Sequence, residues 1–323
     1  MIKRIQRIVT HPAVKAGYLV LLVAATAFYL ARWGDRLPDL LDQVRPAWVG
    51  AALALSVLSA LLYSYIQYYV YHQLGAQPGY WTVFRIVTMS QLGKYLPGKV
   101  LFVGNYYLFS REAGISNWQI GTSFIITMAL WMLTASLCGL PVLSLLAPSF
   151  RYVILILPLL LALLIHPRFL GWLLNTVQRL LGRVRGTPGA ETQPADAVEL
   201  TDLSAAFYLK TAFLYLATWA LAGLAAYCCL AAFVPLSPAV YPLALASIAL
   251  GTVGGFVALF APVGLGVREG IGALILAPTV GADVALLGMV LLRGVTVATD
   301  LLLAVLAMLA LRGPQGATER EGS

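Results

Sequence analysis

Nine ionisable side chains interrupt otherwise apolar stretches of this sequence. Arg85, Lys94, Lys99, Arg111 and Glu112 fall in one stretch, 80–114. Arg268 and Glu269 fall in a second, 241–280, and Arg293 and Asp300 in the apolar run after it. Such a group at the centre of a bilayer costs about 3 kcal/mol, so it is expected to face a cavity or an opposite charge. Arg85, Thr88, Gln91 and Lys94 follow one another at i, i+3 steps and read as one polar stripe on a helix over 80–96. Two cations without an acid suit an anion: lysine supplies a point charge and arginine a planar fork, and both bind phosphate. A half-helix starting at Gly98 or Lys99 would add free N–H groups and a positive dipole end. The second stretch offers Ser247, Gly251, Thr252, Gly254 and Gly255, which are small and neutral. The anion is therefore expected nearer the first stretch.

Other readings of the same charges stand beside this one. Arg85 could snorkel to an interface. Arg111 and Glu112 could form an interfacial pair. Arg268 and Glu269 could bridge each other, and Arg293 and Asp300 could pair with Glu269 or Arg268 as a structural network. The stretch YSYIQYYVYHQ, residues 63–73, reads as an aromatic interface belt, or as a headgroup path lined by Tyr65, Tyr68 and His72.

The elements that must hold these residues are membrane spans. Of the 323 residues, 60% are apolar and 11% charged, against roughly a quarter charged in soluble domains. Mean hydropathy is +0.86. Spans are expected at 14–33, 47–74, 118–146, 151–166, 205–234 and 284–311, with an interfacial segment DRLPDLLDQVRP after the first. A cleaved signal peptide is not expected, because no small-residue cleavage site follows the first apolar run. Cys138, Cys228 and Cys229 lie in apolar spans without metal-ligand spacing and read as packing residues. No metal or cofactor is expected.

The net charge of +8 does not point to nucleic acid, because cytoplasmic loops of membrane proteins retain Lys and Arg. Lys3, Arg4, Arg7 and Lys15, then Arg168, Arg179, Arg183, Arg185 and Lys210, then Arg312 and Arg320 make eleven of the twenty-one cations. Cytoplasmic placement of these three segments, and so of both termini, satisfies the positive-inside rule. Each charged stretch must then enter and leave on one side.

The two stretches also match each other. One runs from an apolar helix into Pro97-Gly98-Lys99, then Arg111-Glu112 and Gly114. The other runs into Pro262-Val263-Gly264-Leu265-Gly266, then Arg268-Glu269 and Gly281. They start from opposite sides. The expected fold is an all-α polytopic membrane protein with two inverted-topology repeats, each holding a re-entrant helical hairpin broken by Pro and Gly. Two kinked helices would be the plainer reading. The expected layout is one membrane domain: span 12–34, first repeat 47–146, connecting span and cytoplasmic loop 150–204, second repeat 205–311 and a disordered tail 312–323.

With KYLPGK, PVGLGVREG and LLRG in this order, the chain resembles the flippase-like transmembrane family of lysylphosphatidylglycerol synthases, the membrane region of the multiple peptide resistance factor, over residues 12–311. The resemblance implies movement of lipid between leaflets. It points to Pro97, Gly98, Pro262, Gly264, Gly266, Glu269 and Arg293. The synthases carry a soluble aminoacyl-transferase domain after the membrane part, and the sequence ends at Ser323, so charging a lipid with lysine is not expected of it.

The leading expectation is a lipid flippase or scramblase-like transporter in a bacterial inner membrane, not an enzyme. It would take an anionic phospholipid or polyprenyl-phosphate-linked envelope lipid. The expected binding set is Arg85, Gln91, Lys94, Pro97, Gly98, Lys99, Arg111, Glu112, Pro262, Gly264, Gly266, Arg268, Glu269, Arg293 and Asp300. No GxxxxGK[ST] motif supplies a nucleotide site. An integral membrane transferase is disfavoured: Asp196, Glu199 and Asp202 are sparse and spaced like a helix start. A third reading is a membrane partner of an envelope glycosyltransferase, docked through the basic segment 166–186.

Overall fold

The computed structural model describes residues 44–95, 100–144, 203–257 and 266–310. The described residues are helical throughout, without a strand. Helix α1 is Pro46–Gln73, α2 Tyr80–Leu92, α3 Val100–Glu112 and α4 Asn117–Cys138; α5 is Ala205–Ala231, α6 Tyr241–Val257, α7 Val267–Val280 and α8 Ala282–Ala310. Among the described residues, five helical segments are long and apolar enough to cross a membrane: Pro46–Gln73, Asn117–Val142, Ala205–Ala231, Pro238–Phe256 and Ala282–Leu309. At 1.5 Å per residue the 28 residues of α1 reach about 42 Å, more than the hydrocarbon thickness. The expected spans at 14–33 and 151–166, the loop after them and the C-terminal tail lie outside the described residues.

Several helices begin where local chemistry offsets their free N–H groups. Pro46 opens α1, where its missing N–H is no loss. Ser116 caps α4 and Gln119 reaches back to the Ser116 N–H at 3.1 Å, a reciprocal capping box. Ser204 accepts from Phe207 N–H at the start of α5. Glu269 does the same work for α7, accepting from Gly266 N–H at 2.8 Å. Gly266 takes φ 79°, a conformation that favours glycine.

Helices α1 and α5 pack along each other. Helices α2 and α3 pair beside α1, with Tyr71, Val83, Ile86 and Tyr106 in a shared core. Helices α6 and α7 pair with α8 beside them, around Leu276, Met289 and Leu292, and α8 also packs on α1 and α2, where Phe84, Leu303 and Ala307 meet. The α6–α7 approach depends on the absence of side chains: a Cβ at Gly251 would stand 2.7 Å from the Arg268 carbonyl oxygen. Gly223 permits similar contact between α5 and the backbone of Leu245.

The long helices bury many hydroxyls without exposing them to apolar surroundings. Thr88, Thr252, Thr296 and Thr299 each donate to the carbonyl four residues back, at 2.6–2.9 Å. The hydroxyl proton is spent within its own helix, and the oxygen keeps a lone pair for another partner.

Candidate functional site

A cavity of about 560 Å³ lies between the two helix pairs, bounded by α1, α4, α5 and α8 as well. Much of its wall is apolar, including Phe102, Phe124, Trp131 and Leu292. Polar groups are concentrated in rows: Ser56, Ser59 and Ser64 on α1, and Thr296, Thr299 and Asp300 on α8. Trp131 and Trp219 stand with ring centroids 5.3 Å apart, and the Trp219 indole N–H donates to Thr134 Oγ1 at 3.2 Å.

Charge enters this cavity from three elements. Lys94, in the 3₁₀ turn Gly93–Tyr95 that ends α2, places Nζ 2.6 Å from Asp300 Oδ2 on α8. The Tyr95 hydroxyl donates to the same carboxylate oxygen. Arg268, from the first turn of α7, also lines the cavity. Next to it Arg293 Nε stands 3.9 Å from Glu269 Oε1 and its guanidinium lies 5.7 Å from the Tyr95 ring centroid. The two ion pairs are largely enclosed, with side chains 23% and 12% exposed for Lys94 and Asp300, and 14% and 11% for Arg293 and Glu269.

Among the described residues, the cluster therefore holds three cations against two acids. Asp300 answers Lys94 and Glu269 faces Arg293, while no described acid forms an ion pair with Arg268. Arg293 Nη1 and Glu269 Oε1 are buried without a hydrogen-bond partner. A guanidinium withdrawn from water without a counter-ion is costly. An arrangement with one surplus positive charge, inside an apolar chamber, fits an anion delivered from outside.

The expected site residues separate into groups. Gln91, Lys94, Arg268 and Asp300 line the cavity, and Glu269, Arg293 and Gly266 stand directly behind it. Arg85 does not line it; its guanidinium lies 6.0 Å from the Phe109 ring centroid instead. Arg111 and Glu112 are exposed at the end of α3, where Arg111 Nη1 donates to the Ile115 carbonyl at 3.3 Å. Pro97, Gly98, Lys99, Pro262 and Gly264 lie outside the described residues.

One expectation about charge changes. Of the pairings open to Glu269, it takes the one with Arg293 rather than with its neighbour Arg268, because its carboxylate folds back onto the start of its own helix. The cation left without an acid comes from α7 rather than α2, because Asp300 claims Lys94. Tyr65, Tyr68 and His72 do form one aromatic run, with the Tyr68 and His72 rings 4.3 Å apart. None of the three lines the cavity.

Sequence reasoning passed over Tyr95, Trp131, Trp219 and the threonines of α8. A signal existed for the last group: Arg293, Thr296 and Asp300 fall at i, i+3, i+7, one face of a helix. The tryptophans carry no such mark, since an aromatic in an apolar span reads as packing.

The family model described as lysylphosphatidylglycerol synthase TM region matches residues 16–304. No curated protein matches the chain. With five long apolar helices among its described residues, this is a multi-pass membrane protein.

Proposed function

Because the chain belongs to the lysylphosphatidylglycerol synthase transmembrane-region family, we propose that it is a lipid flippase or scramblase-like transporter of a bacterial inner membrane, with both termini cytoplasmic. The observation that carries the reading is Arg268, the surplus cation among the described residues of the cavity and the ion pairs behind it. A phosphate of an anionic phospholipid or a polyprenyl-phosphate-linked lipid would balance that charge, with the acyl or prenyl tail left in the bilayer. The free Nη1 of Arg293 offers a further donor beside it.

In this reading α2–α3 and α6–α7 are the re-entrant hairpins of two inverted repeats, and rocking of one repeat against the other opens the cavity to each leaflet in turn. Lys94 can exchange Asp300 for the phosphate as the lipid arrives, so binding and rearrangement of α2 against α8 are linked. The chain's role is transport, without bond-making or bond-breaking.

The test is leaflet exchange in proteoliposomes, using fluorescent phosphatidylglycerol, phosphatidylethanolamine and undecaprenyl phosphate. The expected result is protein-dependent exchange of the anionic lipids, faster than that of phosphatidylethanolamine. Folded protein that exchanges none of the three would defeat the proposal.

A further inference from the structure

A second, much smaller cavity adjoins the first. Its volume is about 10 Å³, and Gln91 lines both. That is room for one oxygen atom with its hydrogens. Its polar lining is Gln67, Ser90, Gln91, Thr127, Tyr63 and Tyr106. Gln67 is 3% exposed, and its Nε2 has no hydrogen-bond partner.

Three of these groups have a fixed role toward anything in the cavity. Gln67 Nε2 can only donate. Ser90 Oγ already donates to the Ile86 carbonyl at 2.5 Å, and Thr127 Oγ1 to the Ser123 carbonyl at 2.7 Å. Both hydroxyls can therefore only accept. The phenols beyond are engaged as well. Tyr71 donates to Tyr106 at 2.6 Å, so Ser110, 3.0 Å from the Tyr71 oxygen, is the donor there. Ser123 donates to the Ile120 carbonyl, so Tyr106 donates to Ser123 at 3.1 Å. That chain ends on a carbonyl and has no hydrogen left for the small cavity. Gln67 lies near the Tyr71 hydroxyl without reaching hydrogen-bond geometry.

The group that fits accepts one hydrogen bond from Gln67 and donates to Ser90 or Thr127, and it has the size of a single oxygen. A hydroxyl does this. An ammonium does not, because it cannot accept.

The geometry points to a hydroxyl-binding subsite beside the main cavity, filled by water when no lipid is bound and by a headgroup hydroxyl when one is. The subsite rests on the lipid-binding reading above and narrows it to hydroxylated anionic headgroups, at the expense of alkyl or amine ones.

Phosphatidylglycerol and phosphatidylpropanol share a phosphodiester, a charge and a three-carbon headgroup, and differ in hydroxyls. Thermal unfolding of the full chain in detergent, titrated with each lipid, reports binding. Phosphatidylglycerol is expected to stabilise the protein at about tenfold lower concentration, and Gln67→Leu is expected to remove that difference. Hydroxyl-radical footprinting supplies a second readout that needs no variant. Tyr106, only 5% exposed, should be labelled through the trapped water, then protected by phosphatidylglycerol and not by phosphatidylpropanol.

Equal stabilisation by the two lipids, stabilisation by neither, or a preference that survives Gln67→Leu overturns the subsite. The two readings fail separately. A hydroxyl preference without leaflet exchange removes the transport function and keeps the subsite; exchange without the preference does the reverse.

Discussion

Arg268→Gln should weaken binding of an anionic lipid by roughly a hundredfold while leaving the protein as stable as before, or slightly more so. The size follows from losing a largely desolvated charge-to-phosphate contact, about 3 kcal/mol. The direction of the stability change follows from the protein without lipid, where Arg268 lacks a described acid and its charge is a cost to the fold. A structural role predicts the opposite pairing, with stability lost and binding little changed. Lipid titration and thermal unfolding on one preparation separate the two. Phosphatidylethanolamine should show a smaller loss than phosphatidylglycerol, since its ammonium already offsets the phosphate charge.

Asp300→Asn should destabilise the protein by about 3 kcal/mol, because it leaves the enclosed Lys94 without its counter-ion. Asparagine can still accept from Tyr95, so the loss isolates charge rather than shape. Pairing Lys94→Met with Asp300→Leu should restore much of the stability, since apolar groups of similar volume commonly replace a buried ion pair without penalty. The same double variant should bind anionic lipid poorly, having lost the lysine that can move to the phosphate. Thermal unfolding of Lys94→Met, Asp300→Leu and the double variant closes the cycle. Unfolding of Asp300→Asn at the wild-type temperature would mean that water screens Lys94 and that the pair is not enclosed as described.

Much of the helix layout was legible because apolar runs and their punctuation are local. Gly79 before Tyr80, Ser116 before Asn117 and Ser204 before Ala205 mark helix starts in the chain itself. The intramembrane charges were legible for a similar reason: Arg293 and Asp300 stand out in any apolar run. Which cation each acid would choose was not legible. Arg268 and Glu269 are adjacent in sequence, but successive residues point about 100° apart on a helix. One can line the cavity while the other turns back to cap Gly266.

The stripe from Arg85 to Lys94 shows the same limit. Each i, i+3 step falls about 60° short of a full turn. Thr88, Gln91 and Lys94, the last in the 3₁₀ turn, all reach the cavity, while the drift within α2 leaves Arg85 beside Phe109. The hydroxyl subsite was beyond sequence reading altogether. It depends on Gln67, Ser90 and Thr127 from three helices, and on which of their hydrogens are already spent.

Transport of this kind requires that the lipid headgroup pass through the cavity. Thr296 lines it from α8, whereas Cys138, Cys228 and Cys229 are buried. The decisive measurement is phosphatidylglycerol exchange by Thr296→Cys proteoliposomes before and after complete modification of the introduced thiol with a bulky maleimide. Exchange near the wild-type rate before modification and none after it is the predicted result. Undiminished exchange by fully modified protein would contradict the account.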